Sequence, residues 1–442
     1  MGKKGKAIVL FLLTVIFLGG LYLRVESVRH TTVVAPLRAD AGQYYMYAYN
    51  LRHKHTYSRE PGHPRDLDDP VTPDAARPPG YPLFLTPFVP GLPTQDILEN
   101  IQVFQAGLST LTLIVSFLFF RGFLPLPLAV AASFLAALSP HLIVAPSFLL
   151  TETLFTFLLV AFFWLLSLFA RRPTPWFSLF TGLVLGMASL VRPALQYFLP
   201  CLAPLMVSQF GWKRGRRVFA LLVLGFALII SPWIIRNMIT LKTPTDQRLM
   251  INFLHHGLYP DFTFDQKWKT HGYPYLADPR SREIGKDLSS VLEEMARRFS
   301  QEPVRHIKWF FLGKPVAFWS WDNVQGILGD IFIYPVSSSP YFTNPLFQGA
   351  HFLMFSLHWP LVILAATGCI LAWFPLFKLE FTQNAIFLIR ATSLLLIYYT
   401  LVHMAGAPFP RYAIPLRPFL YGMALFCPYL LFRALKTGRG SK

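Results

Sequence analysis

Long apolar runs alternate with short polar turns along most of the chain. Ten such runs lie near residues 7–23, 99–120, 127–145, 152–170, 176–191, 194–211, 218–236, 351–374, 385–403 and 412–432. A helix of roughly 17–25 apolar residues spans a bilayer's hydrocarbon core. The pattern therefore predicts an all-α polytopic membrane protein of about ten transmembrane helices. The fifth and sixth runs are short and meet at VRPAL (Val191–Leu195), which predicts a broken pair. The first run follows MGKKGK and is longer than a secretory h-region, with no small-x-small cleavage site behind it. It reads as a retained helix.

Two long segments interrupt the pattern, residues 24–98 and 237–349. The first predicts a helix from Asp40 to about Arg52, then a Pro/Asp-rich crossing. The second holds SREIGKDLSSVLEEMARRF, whose apolar Ile284, Leu288, Val291, Leu292 and Met295 fall three or four apart, as on one face of a helix. The aromatic run HIKWFFLGKPVAFWSW follows and suits a membrane interface. Segments this long are uncommon without a function. No internal repeat and no separate soluble domain is visible, so residues 1–442 read as one unit.

Composition agrees, with 54% hydrophobic and 14% charged residues, against roughly a quarter charged in soluble domains. The net charge of +18 would suit a nucleic-acid partner, but its distribution points elsewhere. The termini and the short connections on their side hold 15 Lys/Arg against one acid, Glu380. The long segments are balanced, with 8 basic and 8 acidic residues in the first and 12 and 11 in the second. Such asymmetry marks the cytoplasmic side. Both termini are expected there and the long segments outside, with no nucleic acid involved. Cys201, Cys369 and Cys427 fall in apolar runs and read as small buried hydrophobes, without a disulfide framework or CxxC pair.

Few residues remain that could carry chemistry. In PLRADAGQYYMYAYN (Pro36–Asn50) a single acid, Asp40, precedes four tyrosines. Asp40 reads as a helix N-cap, or as a partly desolvated general base walled by Tyr44 and Tyr47. Arg77 opens RPPGYPLFLTPF and is either an interfacial anchor or a partner for a phosphate or an acid. Glu152, in TETLF, starts a span; a carboxylate at a membrane edge is either a dipole complement or a functional group. Arg192, Arg236 and Arg411 sit at outer span ends, against the positive-inside bias, which points to an anionic ligand. They are expected to converge on one cavity, with Arg77 close by. His255 and His256 are adjacent and cannot both face one site. No HExxH, P-loop or GxGxxG pattern occurs, so no metal ligands are assigned.

Taken in order, RADAGQYYMYAYNL, RPPGYPLFL, TETLF, VRP, PWIIRN and PRYAIPL resemble the C-type integral membrane glycosyltransferases. The pattern is most similar to bacterial members akin to protein mannosyltransferases and the lipid A aminoarabinose transferase, and covers about residues 7–432. The resemblance implies a polyprenyl-phosphate sugar donor, a lipid, polysaccharide or protein acceptor, and a bacterial inner-membrane enzyme acting on the periplasmic face. It implies Asp40 as catalytic acid/base assisted by Glu152, and Arg77, Arg192, Arg236 and Arg411 as donor-phosphate ligands. Tyr44, Tyr45, Tyr81 and His256 are then the expected sugar and acceptor contacts. One departure is that Asp40 stands between alanines, where protein mannosyltransferases usually carry two consecutive acids. A divalent cation is thus left without a ligand motif, and no other cofactor is implied. A transporter or flippase without bond cleavage, and an O-antigen ligase-type transferase, are the alternatives the residues leave open.

Overall fold

The computed structural model describes residues 3–61, 69–323, 330–374 and 381–440. Lys378, Glu380 and Lys442 of the charge count lie outside these residues. Helices follow one another as α1 (Lys3–His30), α2 (Ala39–His53), α3 (Gly80–Leu85), α4 (Gln95–Phe120), α5 (Leu126–Leu138), α6 (Pro140–Val144), α7 (Glu152–Arg171), α8 (Pro175–Val191), α9 (Phe198–Phe210) and α10 (Trp212–Leu241). The second long segment carries α11 (Arg248–Gly257), α12 (Ser281–Ile284), α13 (Leu288–Gln301), α14 (Pro303–Lys308), α15 (Lys314–Phe318) and α16 (Pro340–Thr343). The chain closes with α17 (Pro345–Leu371), α18 (Gln383–Ala405) and α19 (Arg417–Gly440).

The protein is an all-α polytopic membrane protein. Among the described residues seven helices are long and apolar enough to cross a bilayer, or eight if α5 and the turn beginning with α6, bent by 57°, form one span. Of the remaining apolar helices, α8 with 17 residues lies at the lower limit for a crossing and α9 with 13 falls short of it. They are separated by a 3₁₀ turn at Pro193–Tyr197. Proline there removes an N–H that a continuous helix would need, so the chain breaks.

Bare backbone lets α8 lie close on α10. A Cβ on Gly182 would stand 2.0 Å from the Leu222 carbonyl oxygen, and one on Gly225 would stand 2.2 Å from that of Leu179. Small residues at such crossings gain dispersion contacts that lipid cannot supply. Large exposed side chains such as Leu10, Phe11, Ile235 and Phe352 cover the outer helix faces. In lipid that exposure is favourable.

The two long segments are joined. Thr32–Val33 (β1) pairs antiparallel with Val336–Ser338 (β2), and the Val34 amide donates to the Pro335 carbonyl at 2.8 Å. In the second segment, α13 buries Val291 and Glu294. Leu292, expected on the same apolar face, is 49% exposed. Glu294 takes the inward position instead, because Arg280, Arg297 and Arg298 all reach its carboxylate, at 3.1, 2.6 and 2.7 Å.

Candidate active site

Asp40 does not cap α2. The cap residue is Arg38, which makes no side-chain capping bond. Asp40 lies in the first turn, just after Ala39, whose φ of 48° is left-handed. For alanine that backbone costs roughly 1–2 kcal/mol, and such strain persists only where the surroundings over-determine it. It leaves the Asp40 carboxylate free to face inward.

Residues three and four apart share a helix face, so Asp40, Gln43 and Tyr44 present one surface. Arg77 lies across it. Its Nη2 donates to Asp40 Oδ1 at 2.6 Å, its Nε to Gln43 Oε1 at 2.8 Å, and its guanidinium sits 5.8 Å from the centre of the Tyr44 ring. The segment carrying Arg77 is held against the end of α8 at Gly80, where a Cβ would stand 2.6 Å from the Leu190 and Val191 backbone. That contact brings Arg77 and Arg192 to the same place.

Glu152 is 0% exposed at the start of α7. Its Oε1 accepts from Arg192 Nη2 at 2.6 Å and from Arg411 Nε at 2.6 Å. Thr151 does not cap α7; its hydroxyl accepts from Arg192 Nε at 2.9 Å. Arg411 also places Nη1 3.2 Å from Asp40 Oδ2. One guanidinium thus bridges the two carboxylates. Three arginines face two acids, so the group retains one positive charge. The Asp40 side chain is 26% exposed, the most open of the five.

Burial pushes the Asp40 carboxyl up, but the guanidiniums of Arg411 and Arg77 outweigh it and hold the group below its ordinary value. For Arg77, burial works against the charge and Asp40 more than restores it, so its pKa is raised. The Tyr44 hydroxyl is pushed up, chiefly by burial. Both carboxylates are already occupied by guanidiniums, and the surplus charge is positive. That donor set does not suit a metal cation. Among the described residues no group of three His, Cys, Asp or Glu side chains stands ready to hold one.

The other expected residues divide. Tyr81 is buried edge-on against Tyr44 with its hydroxyl on Gln105. His256 stacks on Tyr275 and meets Phe409, two residues before Arg411. Tyr45 belongs elsewhere: its hydroxyl donates to the Gly91 carbonyl. Arg236 is also apart, against the expected convergence. It donates to the Asp74 and Tyr57 carbonyls at 2.9 and 3.1 Å and lies over the Tyr57 and Trp233 rings. The proline-rich crossing leaves carbonyls without helical partners, and Arg236 supplies the donors. Tyr47 serves the same crossing through a hydrogen bond to Asp74. Gln43, Thr151 and Tyr412, whose ring lies 5.7 Å from the Arg192 guanidinium, complete the site; from sequence Thr151 read only as a helix-start residue and the other two were not singled out as site residues. Only Gln43 carried a signal, its i+3 spacing from Asp40.

Fold and site together define a polytopic membrane protein with a guanidinium-rich ionic site where several spans end. No protein-family profile matches the chain, and no curated protein matches it by sequence. Solved structures do. The oligosaccharyltransferase of Archaeoglobus fulgidus, tethered to an acceptor peptide containing the NVT sequon, aligns with a TM-score of 0.55 at 14% identity, over 99% of this chain and 51% of that one. The archaeal oligosaccharyltransferase AglB from Archaeoglobus fulgidus, in complex with an inhibitory peptide and a dolichol-phosphate, aligns with 0.55, 14%, 99% and 52%. This chain spans about half the length of these proteins. At such identity the likeness is one of fold.

Proposed function

We propose that this chain is a C-type glycosyltransferase. It moves a sugar from a polyprenyl-phosphate donor to an acceptor hydroxyl on the outer face of a bacterial inner membrane. The observation that carries the reading is Arg411 bridging Asp40 and Glu152 within a cluster of net positive charge. A structural neighbour solved with a dolichol-phosphate supports a lipid-phosphate donor.

A lipid phosphate entering the cluster offers its oxygens to Arg77, Arg192 and Arg411. Guanidinium forks suit phosphate geometry. As the arginines turn toward it, Asp40 loses the partners that depress its basicity, and its pKa rises toward that of a useful base. It then takes the proton from the acceptor hydroxyl. The hydroxyl oxygen attacks the anomeric carbon in line, the bond from that carbon to the phosphate oxygen breaks, and the configuration inverts. The lipid phosphate leaves with the added negative charge, where the arginines stand to stabilise it. Glu152 orients Arg192 and Arg411, Tyr44 and His256 border the sugar, and the buried Tyr81 packs behind Tyr44.

Polyprenyl phosphate binding to the purified protein tests the phosphate assignment. A hydrogen bond to a charged group contributes about 1.5–3 kcal/mol, so Arg77→Gln should weaken binding roughly tenfold or more. Arg236→Gln, outside the cluster, should leave it unchanged. Equal effects of the two would reject the assignment. The orientation is tested with Lys269→Cys, an exposed position in the second long segment. An impermeant maleimide should label it in intact cells from which the outer membrane has been removed. Labelling only after permeabilisation would reverse the topology.

A further inference from the structure

The second long segment holds a polar cavity of about 170 Å³, separate from the ionic site. It is lined by Tyr259, Phe264, Asp265, Arg298, Glu302, Arg305 and His306 among others. Its contents differ in kind from the Asp40 cluster. Two arginines face two carboxylates, so nothing favours an ion of either sign. The remaining polar groups both donate and accept. Gln301 gives its carbonyl to Arg297 and keeps its amide N–H groups. Glu302 is paired with Arg305 only at the surface, through one oxygen, at 2.8 Å. His306 is 5% exposed and makes no ring hydrogen bond among the described residues. Burial, then Arg298 and Arg305, push its pKa down, so the ring is neutral at pH 7, one nitrogen donating and one accepting. A buried imidazole without partners costs free energy unless something fills the space it faces.

The segment that supplies the wall opposite α13 and α14 is strained: Asp265, which lines the cavity, and its neighbours Asp261, Phe262 and Gln266 all have left-handed backbone, with φ of 51–56°. Such conformations are sparse outside glycine and gather at binding sites. The same stretch packs near the ionic site, since Phe262 stacks at 4.8 Å on Phe409, two residues before Arg411.

We infer that this cavity is a binding subsite for a neutral carbohydrate, one unit of a glycan acceptor. A ligand here must be uncharged, must both donate and accept hydrogen bonds, and must offer an apolar face to Phe264, since Tyr259 is buried with the Arg298 guanidinium 4.4 Å over its ring. A sugar ring meets all three conditions. The volume lies below the ~300–1,000 Å³ of drug-sized pockets and suits a single ring with its neighbours in solvent. The acceptor role rests on the transferase reading, whereas sugar binding does not.

Saturation-transfer NMR on the intact protein in nanodiscs, with neutral glucan, mannan and arabinan oligosaccharides as probes, tests the binding. At least one probe should bind. His306→Phe, which fills the cavity, and Glu302→Gln, a surface change that leaves the fold intact, should each weaken it about tenfold, the loss of one hydrogen bond to a charged or buried group. Asp40→Asn should not affect it. No binding by any probe, or binding that both cavity variants leave unchanged, overturns the inference. Binding with these losses but no sugar transfer to the bound probe upholds the subsite and counts against the transferase reading. Transfer to a probe that both variants leave unaltered does the reverse.

Discussion

Asp40→Asn is expected to lower turnover by a factor of about 10²–10⁴, the range typical of losing a general base. Donor binding should be kept or tightened. Asn has nearly the shape of Asp and, since Arg38 is the residue at the cap, α2 does not depend on the carboxylate for its start. Removing one negative charge leaves Arg77 and Arg411 without a competitor for the donor phosphate. A fall in turnover that matches a fall in donor affinity would indicate a structural role. Near-normal turnover would leave the chemistry without its base. Glu152→Gln should cost less turnover, because Glu152 is fully buried and acts through the two arginines it holds.

Arg411→Leu is expected to destabilise the protein by about 1.5–3 kcal/mol, the range for losing a hydrogen bond to a charged group. Donor binding should be lost with it. Arg192 and Arg77 still hold Glu152 and Asp40, but each carboxylate then has one guanidinium in place of two. If the bridge is the cause, Glu152→Gln should cost less in this background than in the wild type, because the Arg411–Glu152 contact it would remove is already gone. A coupling of about 0.5–3 kcal/mol is expected from such a cycle. Thermal unfolding in one detergent across the four proteins measures it. Strict additivity would mean that Arg411 stabilises the protein by some other route.

The membrane fold was legible because lipid demands long apolar helices, and that demand is written residue by residue along the chain. Helix ends at Arg171 and Phe120 and the break at Pro193 all followed from composition and proline placement. The short fifth and sixth runs were legible too: α8 and α9 are apolar helices of 17 and 13 residues, broken at VRPAL as read. Leu292 was misplaced because periodicity ranks a leucine inside and a glutamate outside, whereas three arginines reverse that order for Glu294.

At the site, type and position were informative and partnership was not. Arg192, Arg236 and Arg411 look alike from sequence, each at a span end. Arg236 differs only because the proline-rich crossing folds over it and presents the Tyr57 and Asp74 carbonyls. Tyr45 looked equivalent to Tyr44, yet one residue along a helix turns a side chain by about 100°, enough to take it from the Arg77 face to Gly91. The left-handed Ala39 that frees Asp40 from capping had no sequence signal at all.

The most direct test of the account uses purified protein in proteoliposomes, a polyprenyl phosphate bearing a radiolabelled sugar, and a cell-envelope fraction as acceptor source. Wild type should release free polyprenyl phosphate while label passes to the acceptor with inverted anomeric configuration, and Asp40→Asn should do neither. Movement of the intact labelled lipid across the bilayer, with the sugar–phosphate bond unbroken in the wild type, would contradict it.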